Sequence, residues 1–352
     1  MEIAVWDVFQ PRPDMAPAAY YDQHIREIQI AEECGFQHYW FLEHHFSPRS
    51  PLPSPNLLIA AAARETSRIR LGNMVNILPF RNPAILAEEI AILDNLTNGR
   101  LDVGIGRGLK PTEFTALGLV QADSRAMFLE AIEVMLGVWT QDQFDFQGKY
   151  FQVHKTTPLS PPLVQKPYPQ LYVSAQSQES LRWAAERDMP FGQIDALPDE
   201  CGRDIAFYRQ VQVASGFRPD PRLYLTREIY VGETDEQARA EAYPFLLQYW
   251  DLWGRYAQFA REGKMPDSYD SWRKRAPKLA AMSYEELIAK NLILVGGPAT
   301  VARQLQALRS ELDIAILTCV FHLGGLAHDK VARSMRLFAD KVLPSLELAS
   351  AA

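Results

Sequence analysis

Hydrophobic positions along this chain alternate between short β-branched or aromatic runs and longer stretches with apolar residues three or four apart. Ile3 to Val8 predicts a strand. The spacing of Ile25, Ile28, Ile30 and Ala31 predicts a helix from about Tyr20 to Cys34, which Gly35 closes. His38 to Leu42 predicts a second strand, Leu57 to Thr66 a helix, Ile69 to Leu78 a third strand and Ala84 to Leu96 another helix. Leu101, Val103 and Ile105 form a brief fourth strand that breaks into Gly104, Gly106 and Gly108. A long helix follows from about Ser124 to Trp139. Phe144 to Val153 alternates as a hairpin, and the prolines between Thr156 and Pro169 exclude regular structure there. Leu171 to Ala175, Phe191 to Ile194, Arg222 to Val231 and Asp313 to Phe321 complete the principal strands, and Asn291 to Val295 is a further short apolar run. Helices are predicted over Gln178 to Arg187, Asp199 to Ser215, Thr234 to about Ala260, Pro298 to Leu308, and His328 to Leu348.

Principal strands alternating with helices in this way predict a (β/α)8 TIM barrel with insertions, because parallel strands need crossover connections of this length. A doubly wound open sheet is the alternative. The whole chain, 1–352, reads as a single TIM-barrel domain, with an inserted hairpin and loop at about 143–169. The charged, weakly patterned stretch at about 261–284 reads as a mobile lid.

The remaining composition narrows the partners. Hydrophobic residues make up 47% of the 352, enough for a large core. A net charge of -7 without a basic cluster argues against nucleic acid. The N-terminus lacks the basic and long apolar regions of a signal peptide, and no apolar run approaches a membrane span. Cys34, Cys201 and Cys319 lie far apart without metal spacing, so the expectation is structural thiols in a reducing, cytoplasmic setting.

In a TIM barrel the carboxyl ends of all strands open onto one face, where the site lies. That gathers Glu43, His44 and His45 from the second strand, Asn73 to Ile77 from the third, Arg107 from the fourth, Ser174 to Ser177 from the fifth and His322 from the eighth. Adjacent histidines on a strand point to opposite sides, so a shared metal ion is disfavoured. One histidine is suited to general acid–base work, and His44 is preferred over His45. Arg107, pinned between Gly106 and Gly108, and Arg125 can meet one dianion, helped by backbone N–H groups near Ser177 and the hydroxyls of Ser177 and Ser180. No Gly-Lys-Ser/Thr follows, so this is not a Walker loop. The competing readings are a surface ion pair for Arg107 and a salt bridge from Arg125 to Asp123 or Glu130. The aromatic set Tyr243, Phe245, Tyr249, Trp250 and Trp253 is either core or the wall of a wide apolar pocket under the lid.

These residues carry a recognisable pattern. It comprises Leu42-Glu43-His44-His45-Phe46, Asn76-Ile77-Leu78-Pro79, Gly106-Arg107-Gly108 with Glu113-Phe114, Ser124-Arg125-Ala126, Trp183-Ala184-Ala185-Glu186-Arg187, and Ser334-Met335 with Leu337-Phe338. In this order they resemble the bacterial luciferase family of flavin-dependent monooxygenases, in particular its alkanal monooxygenase α-chain branch. The resemblance implies a barrel that takes reduced FMN from a separate flavin reductase. It implies reaction with O2 through a C4a-peroxyflavin to oxygenate a small apolar carbonyl or alkyl substrate, by Baeyer–Villiger or hydroxylating chemistry. It implies phosphate contacts from Arg107, Arg125, Ser177 and Ser180, and a cis peptide at Met74-Val75 beneath the isoalloxazine. Gln176, Gly106 and Leu109 would also lie at the cofactor, and His44 would be catalytic. His45, Glu43, Lys110, Glu113, Trp250 and His322 would line the substrate pocket, with no metal. The luciferase branch carries cysteine, tyrosine, aspartate and glutamate where Gly106, Lys110, Glu113 and Gln176 stand here. A homodimer through the helices after the second and third strands is implied as well. The alternatives are a deazaflavin-dependent hydride-transfer oxidoreductase of the same superfamily and a non-catalytic flavin-binding member.

Overall fold

The structure, a computed structural model, describes residues 1–12, 14–47 and 50–350; Pro13, Pro48, Arg49, Ala351 and Ala352 lie outside them. The first half runs β1 (Glu2–Asp7), α1 (Pro17–Glu33), β2 (His38–Phe41), α2 (Pro55–Glu65), β3 (Arg70–Ile77), α3 (Pro83–Leu96), β4 (Leu101–Gly106), α4 (Pro111–Ala116) and α5 (Ser124–Thr140). A hairpin of β5 (Phe146–Gln147) and β6 (Gln152–Val153) follows. Next come β7 (Leu171–Ser174), α6 (Gln178–Ala185), β8 (Phe191–Ile194), α7 (Pro198–Ala214), β9 (Leu223–Val231), α8 (Asp235–Arg261), α9 (Asp270–Ala280) and α10 (Tyr284–Ala289). The chain ends with β10 (Ile293–Gly296), α11 (Pro298–Glu311), β11 (Ile314–Val320), α12 (His328–Leu337) and α13 (Leu343–Ser350). No helix among the described residues is long and apolar enough to cross a membrane.

Strand pairing closes a ring. The order β9-β11-β1-β2-β3-β4-β7-β8 returns to β9 through the β8–β9 pairing, an eight-stranded parallel barrel as the alternation predicts; the open-sheet alternative falls. The short run at 291–295 is an extra parallel strand, β10, laid on the far half of β9 from Glu228 to Val231. Many helices start with proline at the first position, among them α1, α2, α3, α7 and α11. Proline suits that place because the first helical N–H has no intrahelical acceptor. Side chains cap others: Asn82 accepts from Ala84 and Ile85, Ser177 from Ser180, and Thr234 from Gln237.

The stretch after α8 differs from its sequence reading. It is helical, because Trp272, Ala276 and Leu279 of α9 turn inward while Arg273, Lys274 and Lys278 face out. Trp272 stacks on Trp253 of α8, with ring centroids 5.4 Å apart. Exposed charges dilute this apolar stripe in the linear pattern, which hid the helix.

The barrel's amino end is plugged. Trp40, Tyr172 and Tyr224 meet inside it at centroid distances of 5.1 to 5.9 Å. Beneath them Asp102 accepts from His38 Nδ1 at 2.7 Å, Trp40 Nε1 at 2.8 Å and Arg70 Nε at 2.7 Å. Burial opposes the Asp102 charge, yet His38 and Arg70 hold its carboxyl below its ordinary range. Burial works against the His38 cation too, but Asp102 and Glu2 outweigh it and raise His38 from 6.5 to about 9. Such a cation stabilises the fold fully below its unfolded value, and the contribution is lost as pH rises through the folded one. Denaturant unfolding of the wild type should therefore show stability declining between pH 6.5 and about 9. His38→Gln should be weaker by about 3 kcal/mol at acidic pH and flat across that window.

Candidate functional site

At the opposite end, a cavity open to solvent on one side sits over the aromatic plug. Its wall on the β3–β4 side is unusually close-packed. A Cβ on Gly104 would lie 2.4 Å from Asn73 O, and one on Gly106 would lie 2.3 Å from Val75 Cγ2. The β3–β4 register slips between Asn73 and Asn76, where the Met74–Val75 peptide is cis. Trp6 Nε1 donates to Met74 O at 3.1 Å and Asn76 Nδ2 to Gly104 O at 3.0 Å. Met74, Val75, Gly106 and Leu109 all line the cavity.

One rim of the cavity is cationic. Arg107 lies over the Tyr269 ring at 4.7 Å and donates Nη2 to Ser268 O at 3.1 Å, while its buried Nη1 donates to nothing. Arg125 pairs with Glu179 at 2.7 Å, so neither Asp123 nor Glu130 is its partner. Glu130 instead accepts from the backbone of residues 149–151. Burial, and with it the Arg107 charge, pushes Arg125 below its ordinary value against the pull of Glu179. Two cations thus repel across one spot. The amino end of α6 closes it, with Ser177 donating to Ser180 Oγ at 3.0 Å and both serines lining the cavity. Helix N–H groups, two hydroxyls and two guanidiniums are a donor set for a phosphate dianion. Gln176 lines the cavity beside them, its Oε1 accepting from Arg275 at 2.5 Å.

The histidines separate as expected but by different means. His44 lines the cavity, its Nδ1 2.9 Å from Glu113 Oε1. Burial lowers His44 despite that carboxylate, whereas the His44 contact holds buried Glu113 below its ordinary range. Both directions describe a neutral imidazole whose Nδ1–H donates to a carboxylate, which leaves Nε2 for chemistry at the cavity. Glu113 also accepts from His45 N at 3.1 Å, and Lys110 approaches it at 3.8 Å. Glu43 lines the cavity while accepting from Asn73 Nδ2 at 2.9 Å.

Four pocket expectations need correction. His45 turns back onto Glu43 at 3.0 Å and packs on Phe80, so it backs the wall. Glu113 lies beneath His44 and does not reach the cavity surface. Trp250 points into the core, with its buried Nε1 lacking a partner; its neighbours on α8, Tyr249 and Trp253, line the cavity instead. His322 lies two residues past the end of β11, between the barrel and α1. There it bonds Glu27 at 3.0 Å and stacks on His24, and Thr318 of β11 takes its place at the cavity. The alternation along each strand was legible, but the turn beyond its end was not.

Sequence reasoning missed Asp195, Thr226 and the Ser271–Trp272 pair, all of which line the cavity. Asp195 follows β8 directly, in the same position relative to its strand as Arg107 to β4, which was the available signal. In Glu113→Gln, loss of the neighbouring carboxylate should lower the His44 titration further; histidine NMR measures this, and an unchanged or raised value would contradict the pairing.

The family model for luciferase-like monooxygenases matches residues 1–313. The alkanal monooxygenase alpha chain of Photorhabdus luminescens is 26% identical, covering 91% of this chain and 90% of that protein. The oxygenase component of the flavin-dependent trigonelline monooxygenase of Acinetobacter baylyi is 30% identical over 63% of this chain and 62% of that protein. Among solved structures, the oxygenating constituent of 3,6-diketocamphane monooxygenase from Pseudomonas putida, a type II Baeyer–Villiger monooxygenase in complex with FMN, superposes with a TM-score of 0.81. It is 26% identical and covers 98% of each chain.

Proposed function

The chain belongs to the luciferase-like monooxygenase family, and from that membership we propose a two-component FMN-dependent monooxygenase that places one atom of O2 on an apolar carbonyl or alkyl substrate, with reduced FMN delivered by a separate flavin reductase. The observation that carries this reading is the unpartnered, buried Nη1 of Arg107, which lines the cavity with Ser177 and Ser180 and lies close enough to Arg125 for the two charges to repel. A cation left without an acceptor inside a protein costs free energy that a bound phosphate would return. Reduced FMN held there supplies the electrons that activate dioxygen. The Val75 side chain fills the space that a side chain at Gly106 would take, and the ring system would lie against the wall that Met74, Val75 and Gly106 form. His44, neutral and oriented by Glu113, handles a proton through Nε2.

The 261–284 segment serves as the lid in this proposal. Ser268 O occupies one Arg107 donor and Tyr269 donates to Gly108 O at 2.7 Å, so arrival of a phosphate on Arg107 competes with the lid's own contact. The relative named an oxygenase component supports the reductase partner. Leu57 of α2 and Ile85 and Ile92 of α3 are exposed, with Leu57 at 73%, and support a homodimer through these helices. Free Cys34, Cys201 and Cys319 support a cytoplasmic location.

Photoreduced FMN, labelled dioxygen and a panel of ketones and aldehydes test the reading, with mass spectrometry of the products. One labelled oxygen atom per product is expected; consumption of reduced flavin with only hydrogen peroxide formed, or a clear preference for reduced deazaflavin, would overturn it. Arg107→Ala and Arg125→Ala should each weaken reduced FMN by about tenfold or more in anaerobic titrations. His44→Ala should leave that affinity intact and slow oxygenation by about 100-fold.

A further inference from the structure

Two carboxyl groups at the cavity have no role in the reading above. Asp195, 1% exposed, lines the cavity immediately after β8, and Glu228, 0% exposed, lies on the inward face of β9 two residues beyond the cavity-lining Thr226. Asp195 Oδ2 accepts from Trp253 Nε1 at 3.2 Å. Its Oδ1 and both Glu228 oxygens have no well-formed hydrogen bond; the two carboxyls lie beside one another, with the Tyr249 hydroxyl approaching Glu228.

The nearby cations are committed elsewhere. Arg227 donates to Asn291 O at 2.7 Å, Thr226 O at 2.7 Å and Ala196 O at 2.8 Å. Arg275 is held by Gln176 at 2.5 Å and Glu200 at 3.2 Å. Two neighbouring carboxyls that are acceptor-only when ionised cannot both stay charged in a dry site, so the pair retains a proton. Burial points the same way: it raises Asp195 to about 6 and, with the Asp195 charge, lifts Glu228 well above the carboxylate range.

We propose that the Asp195–Glu228 pair is the substrate-recognition centre of this cavity: its shared proton, presented from Asp195 Oδ1, donates a hydrogen bond to the carbonyl oxygen of an otherwise apolar molecule. The other lining groups on this side are Thr226, Tyr249, Trp253 and Tyr224, which supply apolar surface and hydroxyls but no charge. Burial favours the proton on Glu228; engaging a carbonyl draws it to Asp195 and leaves the negative charge on Glu228, beside Tyr249 and within reach of the Arg227 charge. The pair makes and breaks no bond to carbon; it positions the carbonyl and withdraws electron density from it. The proposal rests on the oxygenase reading only for the fate of the bound ketone, since recognition itself needs no flavin.

The test uses flavin-free full-length protein, with cyclohexanone and camphor set against cyclohexane and bornane, the hydrocarbons of the same skeletons. Calorimetry should show each ketone binding about tenfold tighter than its hydrocarbon. Asp195→Ala should erase that difference while leaving hydrocarbon affinity alone, and Asp195→Asn, whose amide still donates and still accepts from Trp253, should restore part of it. Glu228→Gln should move the loss of ketone preference to lower pH, because Asp195 then has no second carboxyl with which to retain a proton; a packing role would not shift that profile. Infrared spectra of the wild type at neutral pH should show a protonated carboxyl band that either substitution alters. Equal binding of ketone and hydrocarbon, no ketone binding, a preference that survives Asp195→Ala, or no such band would each overturn the proposal. Failure of labelled oxygen to enter product while ketone preference stands would instead sink the oxygenase reading alone.

Discussion

The barrel depends on a single buried carboxylate at its closed end. Asp102 is inaccessible to water, so its charge is tolerable only because His38, Trp40 and Arg70 all donate to it. These donors come from β2 and β3 while Asp102 itself lies on β4, so satisfying one charge fixes three strands in register. The plug of Trp40, Tyr172 and Tyr224 rests on this layer and leaves space only above it. The open end, and with it the chemistry, follows from where the polar residues at the closed end are satisfied.

Above the plug, the buried charges divide into two kinds. Glu43 and Glu113 are acceptors for Asn73, His44 and His45, and they set the shape of the loop after β2. Glu27, remote from the cavity, is likewise absorbed by His322 and His328. Arg107 Nη1, Asp195 Oδ1 and the Glu228 carboxyl, like the second oxygen of Glu113, lack a well-formed hydrogen bond among the described residues. A folded chain tolerates such orphans only in small number, since each costs on the order of 1–3 kcal/mol. The first three fall at two places in or beside one cavity, a cationic rim and an acidic pair, which suits one anionic and one neutral hydrogen-bonding ligand group.

Much of this was legible in the sequence because strand and helix periods are local. The alternation of strands and helices gave the barrel, and glycines around Arg107 gave the turn that presents it. The cis peptide at Met74–Val75 also lies where the resemblance put it, and a helix starts after Ser177 as its sequence pattern predicts. What escaped was set by tertiary contact. The helix α9 exists because Trp272 stacks on Trp253, a partner 19 positions away in the chain (272 − 253). His322 left the mouth because two residues of turn carried it to Glu27, and Trp250 lost its place to Trp253 because the face of α8 that meets the cavity is decided by what packs behind it. Asp195 and Glu228 are ordinary acidic residues in sequence; only the closing of β8 onto β9 makes them a pair.

The contact between Gly106 and Val75 shows how the departures from the luciferase pattern fit together. Any Cβ at 106 would lie 2.3 Å from Val75 Cγ2, so a β-branched residue at 75 and a side chain at 106 exclude one another without a shift of β3 against β4. The volume removed at 106 is therefore taken up by Val75 from the neighbouring strand and does not enlarge the cavity. Lys110, by contrast, is a cavity-lining residue that approaches Glu113 at 3.8 Å, so its exchange alters the field at His44 directly. Of these two departures, the first conserves the shape of the wall and the second changes the electrostatics of the proton-handling group, so differences in reaction outcome should trace to Lys110 and Glu113.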